Sequence, residues 1–450
     1  MRRIGLALVG VLATVAVAAQ QVQAQDPADT SAAARIERLE QQIRIAERLR
    51  ELWQDSVTAA HRAQAVVTAG AGGFIIRSAD NAYSVRIRAL VHADARFFMG
   101  DSVRPSSSLF LLRRVRPYIE ATFAKNYSMR VMPDFAGSVV VIQDAYLDAR
   151  FSNAIQFRGG KFKAPFGLER LVSSTDLLFT ERGFPTSVAP NRDIGLQVGG
   201  DVLGGVVNYA LGAFNGVVDG GSADTDTNDD KDAVGRLFIQ PFRAKTGHRL
   251  AGLGFGVAGS YGNQLGTATA SALPAYRSPG QSSFFAYRTG VFADGRRTRF
   301  GPQAHVYSGR LGLMGEHYTS KQRVTLPAGS ETIEVTAWQV AGSFVLFGGN
   351  ASYRAVTPKT NFDVKAGIWG ALELVGRYGQ LTINDAAFPV YADSLTQARE
   401  AKGFGVGLNW YLNRNVRLYA SYEETKFVGG AATGNREKEK VLFTRMQFAY

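Results

Sequence analysis

The chain has 450 residues, a formal charge of +13, 49 glycines, 11% aromatic residues and no cysteine. The lack of cysteine excludes a disulfide framework, a thiol nucleophile and any cysteine-ligated metal. A mean hydropathy of −0.08, with no apolar run of 18 or more after the first residues, excludes a bundle of membrane helices.

Arg2 and Arg3 precede an apolar run, residues 4–19, and Val22-Gln23-Ala24 supplies small residues for cleavage. These features predict a secretory leader over residues 1–24, so export is expected. Residues 25–73 read as a separate helical segment and linker. Ile36, Leu39, Ile43 and Ala46 are spaced 3, 4 and 3, and Arg50 and Trp53 extend the register between charged residues. A periplasmic coiled coil between subunits and a lone amphipathic helix both satisfy that short heptad pattern.

From residue 74 the period changes to two. In residues 83–97, Tyr83, Val85, Ile87, Ala89, Val91, Ala93, Ala95 and Phe97 fall on one face. Ser84, Arg86, Arg88, Leu90, His92, Asp94 and Arg96 fall on the other. The same alternation marks residues 144–150, 404–411 and 416–423, and a tight turn with nearby aromatics joins the last two. The final segment, residues 440–450, sets Leu442, Thr444, Met446, Phe448 and Tyr450 against Arg445 and Gln447. The expected fold is all-β: a transmembrane antiparallel β-barrel over residues 74–450, preceded by a short helical or coiled-coil segment. In lipid a spanning sheet must close on itself. About 375 residues, at roughly 10 per strand plus turns and loops, leave room for about sixteen strands.

Charge then decides which face is wet. Residues 81–130 hold nine Lys and Arg against three Asp and Glu, too many cations for a lipid face, where each costs roughly 2–4 kcal/mol at the midplane. Arg86, Arg88, Arg96, Arg114, Arg116 and Arg130 are therefore expected to line a water-filled lumen, with His92 in the same stripe. Rings of arginine and lysine select anions, and the planar guanidinium fork fits phosphate oxygens. Asp94, Glu120, Asp134, Asp144 and Asp148 stand available to neutralise part of this set. Nucleic acid is not an expected partner, because the cations alternate with apolar residues on strands and no recognition helix is present.

Other chemistries find little footing. His61, His92, His248, His305 and His317 are the only histidines, and none sits in a hydrolase or zinc motif. A barrel enzyme is the rival class. The segment before the barrel is too short and too helical for a plug domain. Residues 219–232 are acidic but lack the spacing of a calcium loop; a solvated external loop and a cation site are the two readings. No cofactor and no resident metal are expected.

Several separated blocks resemble the phosphate-selective porin O and P family. The first is Gly160-Lys161-Phe162-Lys163-Ala164-Pro165-Phe166-Gly167-Leu168-Glu169, continuing through Phe179-Thr180-Glu181-Arg182 to Ala189-Pro190-Asn191-Arg192-Asp193. Gly235-Arg236-Leu237-Phe238, Trp369-Gly370-Ala371-Leu372-Glu373 and Gly407-Leu408-Asn409-Trp410-Tyr411 follow in order. The resemblance implies a trimeric sixteen-stranded outer-membrane porin admitting phosphate or other small anions. It also implies that the segment between Arg170 and Arg192 folds inward and narrows the pore. Lys161, Lys163, Arg170, Arg182 and Arg192 would then lie near the constriction. A general anion porin without phosphate preference remains the alternative.

Overall fold

The computed structural model describes residues 32–70, 72–100, 107–226, 228–245 and 247–450. The expected leader, residues 1–24, lies outside the described residues. The chain divides into two compact units at Ala65. In the first, helix α1 (Ala32–Ala63) carries the heptad stripe, and Ile36, Leu39, Ile43 and Trp53 are each more than half exposed. No helix among the described residues is long and apolar enough to cross a membrane.

The second unit is a sheet. Its strands are β1 (Val66–Gly70), β2 (Gly73–Arg77), β3 (Ser84–Phe98), β4 (Leu109–Phe123), β5 (Tyr127–Asp134), β6 (Val141–Arg150), β7 (Gln156–Lys163), β8 (Arg192–Val202), β9 (Val207–Phe214), β10 (Asp232–Ile239) and β11 (Gly254–Leu265). A loop hairpin of β12 (Tyr276–Arg277) and β13 (Ser283–Phe285) follows. Next come β14 (Phe292–Ser308), β15 (Leu311–Leu326), β16 (Gly329–Phe347), β17 (Ala371–Ile383), β18 (Ala398–Tyr411), β19 (Val416–Ala431), the two-residue β20 (Gly434–Asn435) and β21 (Glu439–Ala449). Sixteen of them, β3–β11, β14–β19 and β21, form a closed antiparallel barrel in which β21 returns to pair with β3. The hairpin β1–β2 pairs onto β3 through β2 and begins at Val66, inside the stretch read as linker.

Alternation runs through the barrel as the two-residue period requires. On β15, Gly312, Met314, Glu316, Tyr318, Ser320, Gln322 and Val324 are buried, while Leu311 and Leu313 are exposed. Phe300, Val340, Phe344, Leu374, Val406, Leu408, Met446 and Phe448 are exposed on neighbouring strands. Exposed apolar side chains around a polar interior are the arrangement of a barrel in lipid.

The interior departs from simple polar filling. Near the long-loop end, Val324, Ile333, Val335, Ala337, Leu381 and Ile383 are buried and join one apolar cluster with Phe166, Phe184, Val188, Tyr276, Phe284 and Phe285. The second group comes from loops. An apolar inward face must be covered, so the loops after β7 and β11 fold into the barrel rather than over it.

The closing seam is held by more than backbone. Arg445 and Asp94 are register partners on β21 and β3, and the guanidinium donates two bonds of 2.7 Å to the carboxylate. Both side chains are essentially inaccessible to solvent. Arg445→Ala is expected to lower stability by about 3–5 kcal/mol, because Asp94 stays buried and unpaired. Removing both charges, with Asp94→Asn and Arg445→Gln together, should recover most of that loss. Denaturant midpoints followed by tryptophan fluorescence test both statements.

Candidate functional site: an arginine-lined constriction

The β7–β8 connection, residues 164–191, is the structural centre of the lumen. It includes the one-turn helix α2 (Pro185–Val188) and makes contacts all around the inner wall. Leu168 N–H donates to Glu316 at 2.9 Å and Gly183 N–H donates to Glu169 at 2.8 Å. Gln339 on β16 bridges Glu169 and Glu316, at 2.9 and 2.8 Å. Asn409 donates to Leu178 O and Gln447 to Thr175 O, at 3.0 and 3.1 Å. The loop presses on β16 so closely that a Cβ at Gly183 would fall 1.8 Å from Gln339 Oε1. A larger residue there would have to displace the Gln339 amide from its bridge between Glu169 and Glu316.

Glu181 is the loop's electrostatic anchor. It accepts from Arg113 Nε at 2.5 Å and from Arg96 Nη2 at 2.8 Å, with Arg114 at 4.0 Å. Its carbonyl accepts from Arg377 at 2.7 Å. Burial works to raise the pKa of this loop carboxyl; Arg113 and Arg114 overcome it and hold the group well below the usual carboxylate range. A buried carboxylate gripped by three cations keeps its charge and its place.

Arg113 was not anticipated. Strict parity places it on the lipid face beside Arg114. The register shifts between His92 and Ala93 of β3, which pair with Arg114 and Leu112, so Arg113 is the extra residue of a β-bulge. The bulge lets two consecutive arginines serve the lumen. The signal was present in sequence: a cation at an outward position of a lipid-facing strand costs enough to demand an irregularity.

On one side of the loop lies a chamber of about 560 Å³ lined by Arg113, Arg114, Arg116, Arg170, Arg182, Arg192 and Arg277, with Glu181 and Asp219 as its acids. Seven guanidiniums against two carboxylates leave it strongly cationic. Wall acids offset some of them: Arg116 pairs with Asp134 at 2.7 Å and Arg192 with Asp144 at 2.8 Å. Among the described residues, Arg170 and Arg182 have no carboxylate partner. Arg182 instead donates to the carbonyls of Glu169 and Val172, and Arg170 to that of Thr186.

A smaller chamber of about 220 Å³ lies toward the β6–β7 turn and is lined by Arg150, Arg158, Lys163, Arg236, Tyr209 and Asp201, among others. Lys163 donates to Val172 O at 2.8 Å, the same carbonyl that accepts from Arg182 at 2.8 Å. The Val172 carbonyl thus links a cation of one chamber to a cation of the other. Arg158 is bidentate with Asp148 at 2.6 and 2.9 Å and stacks on Tyr146, 4.2 Å from the ring centre.

The expected residues thus separate. Arg114, Arg116, Arg182 and Arg192 come together in the larger chamber, and Lys163 lines the smaller. Arg96 stands behind Glu181. Arg130 pairs with Glu120 and Asp144, each at 3.3 Å, Arg86 lies 3.8 Å from Glu120, and Arg88 packs over Tyr118. Lys161 lines neither chamber. It shares strand parity with the exposed Phe157, and its ammonium is capped by Asp224 from the β9–β10 loop. The acidic stretch is used by cations too: Asp219 binds Arg299 at 2.7 Å, and Asp232 binds Arg297 and Arg299 at 2.7 and 3.1 Å.

A second inward segment narrows the lumen from the short-turn end. The β16–β17 connection spans residues 348–370. Tyr353 from it donates to Leu168 O at 2.7 Å and packs against His305, ring centres 4.7 Å apart. The inward loop is therefore braced from both ends on its β14–β17 side, away from the chamber arginines of β4.

Residues 85–450 match the family model "Phosphate-selective porin O and P". Among solved structures, the chain is similar to the outer membrane channel DcaP of Acinetobacter baumannii, with 11% identity over 84% of this chain and 100% of that one, at a TM-score of 0.56. It is similar to an anion-selective porin from Comamonas acidovorans, with 12% identity over 82% and 100% of the two chains and a TM-score of 0.53. A loop-deleted OmpT of Vibrio cholerae gives 12% identity, the same coverage and a TM-score of 0.51. Likeness at such identities is one of fold. No curated protein matches the chain. With its closed barrel, inward loop and family match over four-fifths of its length, the chain belongs to the phosphate-selective porin O and P family and is an outer-membrane channel rather than an enzyme.

Proposed function

We propose that this porin is an anion-selective diffusion channel and that its larger chamber holds phosphate-like anions in passage. The observation that carries the reading is the excess of arginine over acid at the inward loop, with Arg170 and Arg182 free of carboxylate partners among the described residues. Conduction needs binding strong enough to admit an ion and weak enough to release it. Guanidiniums already engaged by carbonyls and wall acids present only part of their donor set, which suits transient capture. The Comamonas neighbour is described as anion-selective, in keeping with this reading. General anion permeation without phosphate preference is the second reading, supported by the diffuse pairing of the wall arginines.

The assembly proposed is a homotrimer, the form in which one OmpT neighbour is described. The proposed division is leader 1–24, helical segment 25–73 and barrel 74–450, with α1 serving as a seam between copies.

Reversal potentials in a KCl gradient are expected to favour chloride, and Glu181→Gln, which removes a negative charge from the chamber, should shift them further toward anions. A native channel that prefers potassium would sink the proposal.

Added phosphate is expected to block chloride current saturably. Arg182→Lys keeps the charge but loses the bidentate fork, so it should weaken the block about tenfold, the equivalent of roughly 1.4 kcal/mol, while preserving anion preference. Arg182→Gln should reduce both. Absence of saturable block in the native channel reduces the reading to a general anion porin.

Because the chain has no cysteine, a single Leu39→Cys substitution reports on α1. A coiled coil between copies should give disulfide-linked dimers under oxidation, whereas persistent monomers would leave α1 a solitary amphipathic helix.

A further inference from the structure

The outward face of β14 and β15 carries basic residues where most of the barrel's outer face is apolar. Arg296, Lys321 and Arg323 are exposed there, on the face that also shows Phe300, Leu311 and Leu313. Lys321 is 3.0 Å from Glu334, with both groups open to solvent. Among the described residues, neither Arg296 nor Arg323 has a carboxylate within ion-pair distance. Other outward lysines near the same end are accompanied by acids: Lys402 by Glu400 at 2.7 Å, and Lys426 and Lys438 by Glu424 at 4.0 and 3.6 Å.

A bulge on β14 adjoins both arginines. The β14–β15 register shifts between Ala293 and Arg297, and Gly295 adopts φ +120°. A Cβ on Gly295 would lie 3.3 Å from Arg323 Cδ, so the Arg323 stem runs against the residue that precedes Arg296. Arg296 sits over the exposed ring of Tyr261 on β11, 5.5 Å from its centre. The nearest acid on β14, Asp294, accepts from the Thr325 hydroxyl at 3.0 Å.

Height along the barrel identifies what this patch meets. Leu313 marks the apolar belt on β15, and Lys321 is eight residues further along. At about 3.3 Å per residue and a tilt near 40°, that is roughly 20 Å up a belt about 25 Å tall. Arg323 therefore stands where the hydrocarbon gives way to outer-leaflet headgroups, and Arg296 on the neighbouring strand sits over an aromatic ring of the kind that favours that boundary.

We propose that Arg296 and Arg323 dock a phosphorylated lipid of the outer leaflet. Its phosphate lies between the two guanidiniums and its acyl chains along Phe300 and the neighbouring apolar surface. Two unpaired arginines facing lipid are stabilised by a ligand that supplies both phosphate oxygens and hydrocarbon.

The test uses the full-length folded barrel in detergent, stripped of lipid and incubated with micelles containing a diphosphorylated lipid A-type lipid. Lipid retained after gel filtration is measured by mass spectrometry. The native protein should retain it, and the Arg296→Gln, Arg323→Gln double variant should retain about tenfold less. Lys426→Gln, whose lysine has an acidic neighbour elsewhere on the rim, should match the native protein, and heat-modifiable gel migration verifies folding. The same lipid without its phosphates should be retained no better by native protein than by the double variant. Inorganic phosphate at the lipid's concentration should fail to compete, which separates a lipid headgroup from the free anion. Equal retention of the phosphorylated lipid by native and double variant overturns the proposal. So does phosphate-independent retention, or full competition by inorganic phosphate.

Discussion

Every backbone N–H and C=O that lies in hydrocarbon must be paired within the protein, and a sheet achieves this only by closing. In this chain closure falls to β21 and β3, joined along nine register pairs from Val441–Phe98 to Ala449–Leu90. The Arg445–Asp94 pair sits inside that seam. Its charges face the lumen because the alternate positions, Thr444 and Ala95 among them, belong to the other face. Once the strands close, each side chain is assigned to lipid or lumen by parity, and the long run of inward arginines follows.

A closed barrel of sixteen strands encloses more space than wall side chains fill, and two different surfaces divide it. The wall from β3 to β8 is basic, with Arg96, Arg114, Arg116, Arg130, Arg158 and Arg192 set among Asp134, Asp144 and Asp148. The wall from β15 to β18 is apolar near the long-loop end, with Ile333, Val335, Leu381 and Ile383. Loop aromatics cover the apolar wall through the hydrophobic effect. Glu181 ties the same loop to the basic wall. The inward loop is thus held by apolar contact on one flank and by charge on the other, and its cationic chamber opens on the charged flank.

Charge inside the chamber is a balance rather than a maximum. A lumen of unpaired arginines would repel itself and bind an anion too tightly to release it. Asp134, Asp144 and Glu181 temper the set, while Arg170 and Arg182 lean on carbonyls that reduce their donor capacity without cancelling their charge. Outside the barrel, the same residue type has another setting. Arg296 and Arg323 face outward by ordinary alternation beside a bulge, while Arg113 is turned inward by one. At Arg113 a one-residue irregularity decides which solvent the arginine meets, whereas the two-residue irregularity of β14 leaves parity intact and Arg296 on the face of Phe300.

The order of residues alone determined the closed barrel, its strand number and the wet and dry faces of β3. These depend on a two-residue period, on chain length and on the cost of charge in lipid, all of which are local or additive properties. The inward arginines at positions 114 and 116, and the placement of Arg182 and Arg192 at the inward loop, were legible for the same reason together with the family resemblance. Tertiary structure decided what parity counting cannot. The bulge at Arg113 depends on the register of two paired strands. The partition of Lys161 from Lys163 depends on where the β9–β10 loop sends Asp224. The choice of Glu181 as anchor depends on arginines 68 and 85 residues distant in the chain. The second chamber depends on strands β6 to β10 converging below the loop. Each of these is a long-range meeting of side chains, and a meeting of that kind is set by closure of the sheet, not by any stretch of sequence within it.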